Sequence, residues 1–241
     1  MKTLISVIEG IFDTDTDDAS LKDIGYQTII KMVGFESAIF KDIDYEVKGK
    51  TLTINKIPSG PSLSMYMAEE YWQFFDTLEI SPAITGFRRA NCIFWGGKNC
   101  PHTIRFIGDE KRFARLPSLS IQKASNLTID TTDCKYTPTI EILDKHEFKN
   151  VTFKGNVVFQ SKHPFEFKGI ALEGTKYLTI HCSGASESDR KLWTNVSIEK
   201  FGDLPKSIKT FEINGYVNRK FVRRKGEWQE LTWQSLTNKW V

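Results

Sequence analysis

Apolar residues recur every three or four positions ahead of residue 45 and every two positions after it. Leu4, Ile5, Ile8, Ile11 and Phe12 form one stripe of a short amphipathic helix, and Ile24, Ile29, Ile30, Val33, Ile39 and Phe40 suit a second helix over residues 21–40. Asp13, Asp15, Asp17 and Asp18 follow the first stripe. Negative charge opposes the macrodipole in a helix's last turn, so that helix is expected to end near Phe12. Gly25 and Gly34 weaken the second helix.

Beyond residue 45 the chain reads as apolar-polar-apolar triplets separated by Gly, Pro, Asn and Asp, which is strand chemistry. One series is Leu52-Thr-Ile54, Leu78-Glu-Ile80, Ile104-Arg-Phe106, Leu127-Thr-Ile129, Val151-Thr-Phe153, Leu178-Thr-Ile180 and Phe211-Glu-Ile213, at intervals of 26, 26, 23, 24, 27 and 33 residues. A second series, Cys92-Ile-Phe94, Leu119-Ser-Ile121, Ile140-Glu-Ile142, Phe165-Glu-Phe167 and Val196-Ser-Ile198, trails it by 14, 15, 13, 14 and 18. Periods of this length predict a parallel β-solenoid whose coils bury their inward side chains against one another; an irregular β-sandwich is the alternative. Ser64 to Phe75 reads as an inserted helix and Ala185 to Lys191 as an exposed loop. Lys220 to Arg224 and Glu227 to Trp233 flank Lys225-Gly226, a hairpin with glycine at a positive-φ turn position. The expected fold class is therefore mainly β: a parallel β-solenoid over 45–215, an acidic α-helical N-terminal arm over 1–44 and a basic, aromatic C-terminal β-hairpin over 216–241.

With 40% hydrophobic and 26% charged residues in 241, disorder, collagen and coiled-coil rod are excluded. No run approaches the roughly 20 apolar residues of a membrane helix, so no membrane association is expected. The net charge of +3 is too balanced for a nucleic-acid scaffold, but it is unevenly spread. Residues 1–50 hold ten acidic against six basic side chains, a local −4, and the remainder holds 27 basic against 20 acidic, a local +7.

Candidate chemistry is sparse. Cys92, Cys100, Cys134 and Cys182 lack the close pairing of a zinc knuckle, so small buried hydrophobes or free thiols are expected, with no metal and no cofactor. Asp13, Asp15 and Asp17 match the first three ligand places of an EF-hand loop, but Asp18 stands where the turn needs Gly and Ile24 where the loop needs Glu. His181 and Cys182 are neighbours on a strand and point to opposite faces, which does not suit a base and its nucleophile. Trp95-Gly-Gly-Lys98-Asn99 lacks the phosphate-loop pattern. Glu141, Asp144, Glu147 and Glu166 are the carboxylates that neighbouring coils could gather for glycoside chemistry, although solvated surface is the simpler reading. Asn126-Leu-Thr, Asn150-Val-Thr and Asn195-Val-Ser match the glycosylation pattern, yet no signal peptide is evident and they are expected to stay bare. Arg219, Lys220, Arg223, Arg224 and Lys225 lie beside Trp228 and Trp233, and protein contact ranks first for this cluster, plain surface second and nucleic acid third.

The segments NLTIDTT, NVTFKGN and KYLTIHCSG resemble degenerate leucine-rich repeats, which place one short strand per repeat on a curved sheet; a parallel β-helix stays open. The GEWQEL hairpin resembles those near the ends of phage tail and fibre proteins. Residues 1–18, from Met1-Lys2-Thr3-Leu4 through Ile11-Phe12-Asp13, resemble the N-terminal peptides of T-even-like and crAss-like tailed-phage proteins. In the T-even-like group that peptide targets cargo into the prohead. These resemblances imply a non-enzymatic structural or interaction protein, made in the host cytoplasm and resident in the virion. Leu4, Ile8, Ile11 and Phe12, with Arg223, Arg224, Trp228 and Trp233, would contact a protein partner, a virion or assembly component. A carbohydrate-binding or carbohydrate-active β-helix protein and a bacterial leucine-rich-repeat interaction protein are the alternatives.

Overall fold

The computed structural model describes residues 18–33, 43–56, 63–64, 69–81, 90–95, 100–108, 118–135, 137–184, 186–234 and 239–240. Leu4, Ile8, Ile11 and Phe12 lie outside these residues.

Helix α1 (Asp18–Val33) starts earlier than the expected 21–40 and takes in the last residue of the acidic run. That start suits the dipole, with Asp18 at the amino end and Lys31 in the last turn. Ile24, Ile29 and Met32 are buried. Gly25 is there for contact: a Cβ on it would lie 2.6 Å from Val47 Cγ2 and 3.3 Å from Leu52 Cδ1.

Strands β1 (Asp44–Lys48) and β2 (Thr51–Lys56) pair antiparallel. One mostly parallel sheet then takes in β3 (Leu63–Ser64), β4 (Thr77–Ile80), β5 (Ala90–Trp95), β6 (Thr103–Phe106), β7 (Ser118–Asp130), β8 (Thr139–Lys154), β9 (Val158–Ser161), β10 (Ile170–Glu173), β11 (Tyr177–Cys182) and β12 (Thr210–Gly215). Strands β13 (Arg219–Arg224) and β14 (Glu227–Leu231) extend it antiparallel, while β15 (Trp233–Gln234) and β16 (Lys239–Trp240) pair with each other. Helices α2 (Glu69–Trp72) and α3 (Glu187–Asn195) interrupt the strand order.

Within the sheet two parallel ladders run side by side. One aligns Leu52, Leu78, Ile104, Ile129, Phe153 and Leu172. The other aligns Leu119, Ile140, Phe159, Ile180 and Ile213. All are buried in one core. The alternation of the triplets was legible, but their assignment needs correction after residue 155. Leu178-Thr-Ile180 and Phe211-Glu-Ile213 belong to the second ladder, with Leu119 and Ile140. The strands actually used in between are β9 and β10, where the spacing between aligned residues falls to 19, from Ile140 to Phe159 and from Phe153 to Leu172. Phe165-Glu-Phe167 is not a strand; both rings turn inward and pack on Phe159. Val196-Ser-Ile198 is the exit of α3 into a short 3-10 helix, Ile198–Phe201. Ser64 to Phe75 yields only α2 as helix among its described residues, and the expected loop at 185–191 is largely the first turns of α3.

Strands β7 and β8 each pass from one ladder to the other, and a left-handed residue marks the passage. Asn126 has φ 51° and Asn150 φ 54°, and Gly169 at φ 74° occupies the same column, since Leu127, Val151 and Ile170 are in register behind them. Asparagine tolerates this region better than most side chains. Asn150 Nδ2 donates to Asn126 Oδ1 at 3.1 Å. The recurrent Asn-x-Thr at 126 and 150 is thus a bend signal, whereas Asn195 ends a helix.

The outward face of the first ladder carries a row of complementary polar side chains: Thr53, Glu79, Arg105, Asp130, Lys154 and Glu173. Thr53 Oγ1 donates to Glu79 Oε2 at 2.8 Å, and Arg105 Nη1 donates to Glu79 Oε1 at 2.9 Å. Arg105 Nε lies 3.7 Å from Asp130 Oδ2, and Lys154 Nζ lies 3.6 Å from Glu173 Oε2. Like charges one strand spacing apart would repel, so in-register stacking selects alternation. Burial pushes the Asp130 carboxyl up, but hydrogen bonds from Thr132 and the charges of Arg105 and Lys154 outweigh it and hold the group below its ordinary value.

Two substitutions test this packing by urea denaturation. Gly25→Ala is expected to cost about 1–3 kcal/mol by overpacking α1 against Val47. Arg105→Glu, which sets carboxylates on three adjacent strands, is expected to lower the unfolding midpoint more than Arg105→Met does. Equal midpoints for the two Arg105 variants would contradict an electrostatic role for the row.

Candidate functional site

The structure gathers polar and aromatic chemistry at the C-terminal end of the sheet, around α3 and the β13–β14 hairpin. Helix α3 opens on a capping box: Ser186 Oγ accepts from Asp189 N at 3.1 Å, and Asp189 Oδ2 accepts from Ser186 N at 3.3 Å. The other Asp189 oxygen lies 3.1 Å from His163 Nε2, and His163 Nδ1 lies 2.9 Å from Asp144 Oδ1. One imidazole therefore clasps the first turn of α3 to β8; an imidazolium donates to both carboxylates, a neutral ring to one. Bonds from the Ser186 hydroxyl and backbone hold the Asp189 carboxyl below its ordinary value against the opposing effect of burial, with His163 and Lys162 adding to the shift. On the inner face of α3 the Trp193 ring is fully buried and its Nε1 donates to Lys162 O at 2.8 Å.

An open groove of about 820 Å³ runs beside this helix, bounded by His163, Pro164, Leu192 and Val196, with Lys191 and Lys200 along it. Leu192 is 51% exposed there, a large apolar side chain left facing water.

The hairpin turns through Lys225 at φ 52° and Gly226 at φ 93°, two left-handed residues as a tight hairpin requires. Two of its arginines are spent inside the chain. Arg219 donates bidentately to Glu230 at 2.6 and 2.8 Å, and its Nη1 donates to Val196 O at 2.6 Å and Trp193 O at 3.3 Å, covering open carbonyls at the end of α3. Arg223 donates to Pro205 O at 2.7 Å and Leu204 O at 3.1 Å, with its guanidinium 4.4 Å from the Trp228 ring centroid. A second cavity, about 630 Å³, is lined by Trp228, Arg223 and four carboxylates: Glu166, Glu199, Asp203 and Glu227.

Of the residues singled out from the sequence, Arg223 and Trp228 meet across the hairpin as directly opposed partners. Arg224 is exposed opposite Glu227, and Trp233 lies in β15 with its side chain outside the described residues. The four candidate carboxylates disperse. Glu141 accepts from Ser120 Oγ at 2.6 Å, Asp144 faces His163, Glu147 pairs with Lys123 at 3.0 Å, and Glu166 alone reaches the second cavity. His181 is exposed and Cys182 buried, on opposite faces, and Cys182 Sγ donates to Asn214 O at 3.0 Å. Among the described residues no three His, Cys, Asp or Glu side chains are grouped to hold a metal ion. Sequence reading missed the Asp144, His163 and Asp189 clasp. Ser186-x-x-Asp189 is a helix-start signature that could have located one end of it.

Acid stability follows from these groups. Asp130 and Asp189 both titrate below 3.8 when folded, so their contribution is present above the unfolded value and is lost as pH falls through 3.8 toward the folded values. His146 acts in the same direction at a higher pH: burial, with the Phe148 and Phe165 rings 5.2 and 5.6 Å away, pushes it below 6.5, so acidification through 6.5 already favours the unfolded chain. Urea midpoints measured from pH 8 down to about pH 3 are expected to fall in two stages, and His146→Gln should remove the upper one. Arg223→Ala is expected to shift tryptophan emission to the red as Trp228 loses its cover; unchanged emission would argue against the cation–π contact. No family model matches this chain, and neither a curated protein nor a solved structure matches it.

Proposed function

We propose that the chain is a non-enzymatic structural or protein-interaction protein, a parallel β-solenoid of leucine-rich-repeat or β-helix type that acts as a virion-associated or assembly protein of a tailed phage. The observation that carries the architectural part is the pair of in-register ladders, in which strands alternate between two faces as the chain advances. Two strands per repeat favour the β-helix form over the leucine-rich-repeat form, which places one strand in each repeat. In such stacks the coils are scaffold and the exposed faces are what partners read. Polar side chains consistent with this role tie coil to coil, as Ser120 does with Glu141 and Lys123 with Glu147. The N-terminal arm, with Leu4, Ile8, Ile11 and Phe12 on one side, supplies the anchoring contact, since three helical turns are marginal alone and gain order in a partner's groove.

The test is mass spectrometry of gradient-purified virions from the source of this sequence, with the wild-type chain and with Ile8→Asp/Phe12→Asp. The wild type is expected in the particles and the variant depleted by about tenfold or more. A chain absent from purified virions contradicts the phage reading.

A second reading has one observation in its favour. Trp228 beside four carboxylates in the 630 Å³ cavity is a composition that suits a sugar, with an aromatic face and several hydrogen-bond acceptors. Titration with oligosaccharides, followed by Trp228 fluorescence, is expected to give no saturable change under the interaction reading; saturable quenching abolished by Trp228→Ala would favour the carbohydrate one.

A further inference from the structure

We infer that His163 is a proton-operated clasp: as an imidazolium it ties the first turn of α3 to β8, and on losing a proton it lets go of β8. The device is independent of what the protein binds.

One ring is held between two carboxylates that belong to different elements. His163 Nδ1 lies 2.9 Å from Asp144 Oδ1, and Nε2 lies 3.1 Å from Asp189 Oδ1. A carboxylate only accepts, so both contacts are hydrogen bonds only when both ring nitrogens carry protons. Each of the three groups is positioned by further contacts. Asp144 lies in the stretch of β8 between Ile142 and Glu147 where the register with β7 shifts, and Lys145 there has φ 59°. A bulge of this kind re-aims a side chain, and Gln122 Nε2 fixes it by donating to Asp144 O at 3.1 Å. Asp189 belongs to the capping box, its second oxygen accepting from Ser186 N. Ser161 Oγ donates to His163 O at 2.8 Å and holds the backbone from which the ring extends.

Burial decides which bond the neutral ring keeps. The Asp189 side chain is 5% exposed and the Asp144 side chain 51%. Water can replace a lost donor at Asp144 but not at Asp189, where an unmet buried charge is costly. The neutral ring therefore keeps its proton on Nε2, toward Asp189, and the Nδ1 lone pair faces Asp144, whose carboxylate turns to water. The other charged groups on the packed elements are Lys162 beside His163, Glu187 and Lys191 on α3, Lys200 across the groove, and Lys145 and His146 on β8. Glu187 and Lys191 pair with each other at 3.2 Å, and His146 packs against the Phe148 and Phe165 rings. Among the described residues no lysine or arginine pairs with Asp144 or Asp189, so the imidazolium is the cation that joins them. Opening is local, because Trp193 Nε1 still bonds Lys162 O and Arg219 still covers the end of α3. The global unfolding midpoint is thus left to His146 and the carboxylates. At the acid end the clasp is lost again as Asp189 takes up its proton below 3.8.

The test is amide hydrogen exchange of the full chain from about pH 5 to about pH 8, corrected for the intrinsic effect of pH on exchange. It is read at Asp189 and Arg190, whose amides donate to Ser186. Their protection is expected to fall about tenfold as the pH rises and one charge-assisted bond is lost. Nitrogen NMR of the ring should show His163 protonated on both nitrogens at the acid end and on Nε2 alone at the alkaline end. Asp144→Asn and His163→Gln should each make the protection independent of pH, with circular dichroism checking that both fold, and His146→Gln should leave the dependence in place. Level protection in the wild type overturns the inference, and so does a neutral ring protonated on Nδ1. Loss of the dependence in His146→Gln overturns it as well, by assigning the effect to the other histidine.

Discussion

Parallel strands stacked in register impose one condition on every residue of this fold: each side chain must be compatible with the side chain one spacing before and after it. Toward the core the condition is volume, and Leu52, Leu78, Ile104, Ile129, Phe153 and Leu172 meet it with one branched or aromatic residue per strand. Toward solvent the condition is charge, met by the alternation from Glu79 to Arg105 to Asp130. At the bend it is backbone conformation, met by Asn126, Asn150 and Gly169. Gly169 has no alternative, since a Cβ there would lie 2.2 Å from Phe148 O. A stack of this kind has two ends that need covering, and α1 with β1 covers one while the β13–β14 hairpin extends the other.

The terminal elements also explain where the chain's unusual side chains go. Arg219 and Arg223 read as an exposed basic patch in the sequence, yet each guanidinium satisfies backbone carbonyls of the segment that follows α3. Buried carbonyls without partners are costly, and arginine, with several donors on one planar group, serves more than one at once. His163 does comparable work on the opposite side of α3. The helix is thus held at its start by the clasp and at its end by Arg219. Its outer side chains, Lys191 and Leu192, are left to face the groove.

Much of the ladder arrangement was legible because period-two triplets survive as a local signal, and the hairpin because Lys225-Gly226 demands positive φ. The switch of ladder at Leu178 and Phe211 was not legible. Shifting a strand from one ladder to the other leaves its own alternation unchanged, so only the spacing between aligned strands distinguishes the two, and that spacing contracts around β9 and β10. Phe165 and Phe167 misled for a related reason, since an alternating aromatic pair buries equally well from an irregular loop. The candidate site was less legible still. Asp144, His163 and Asp189 are distant in sequence, and their meeting depends on a bulge in β8 and a helix cap, neither of which carries a hydrophobic period.

The central claim is the register of the stack, and distance measurement between spin labels along the outward row tests it most directly. Labels at Thr53→Cys paired in turn with Asp130→Cys, Lys154→Cys and Glu173→Cys, after substitution of the native cysteines, are separated by three, four and five strands of one ladder. The account predicts backbone separations that grow by about 4.8 Å per strand, to roughly 24 Å for the last pair. Separations that fail to grow from pair to pair would contradict it.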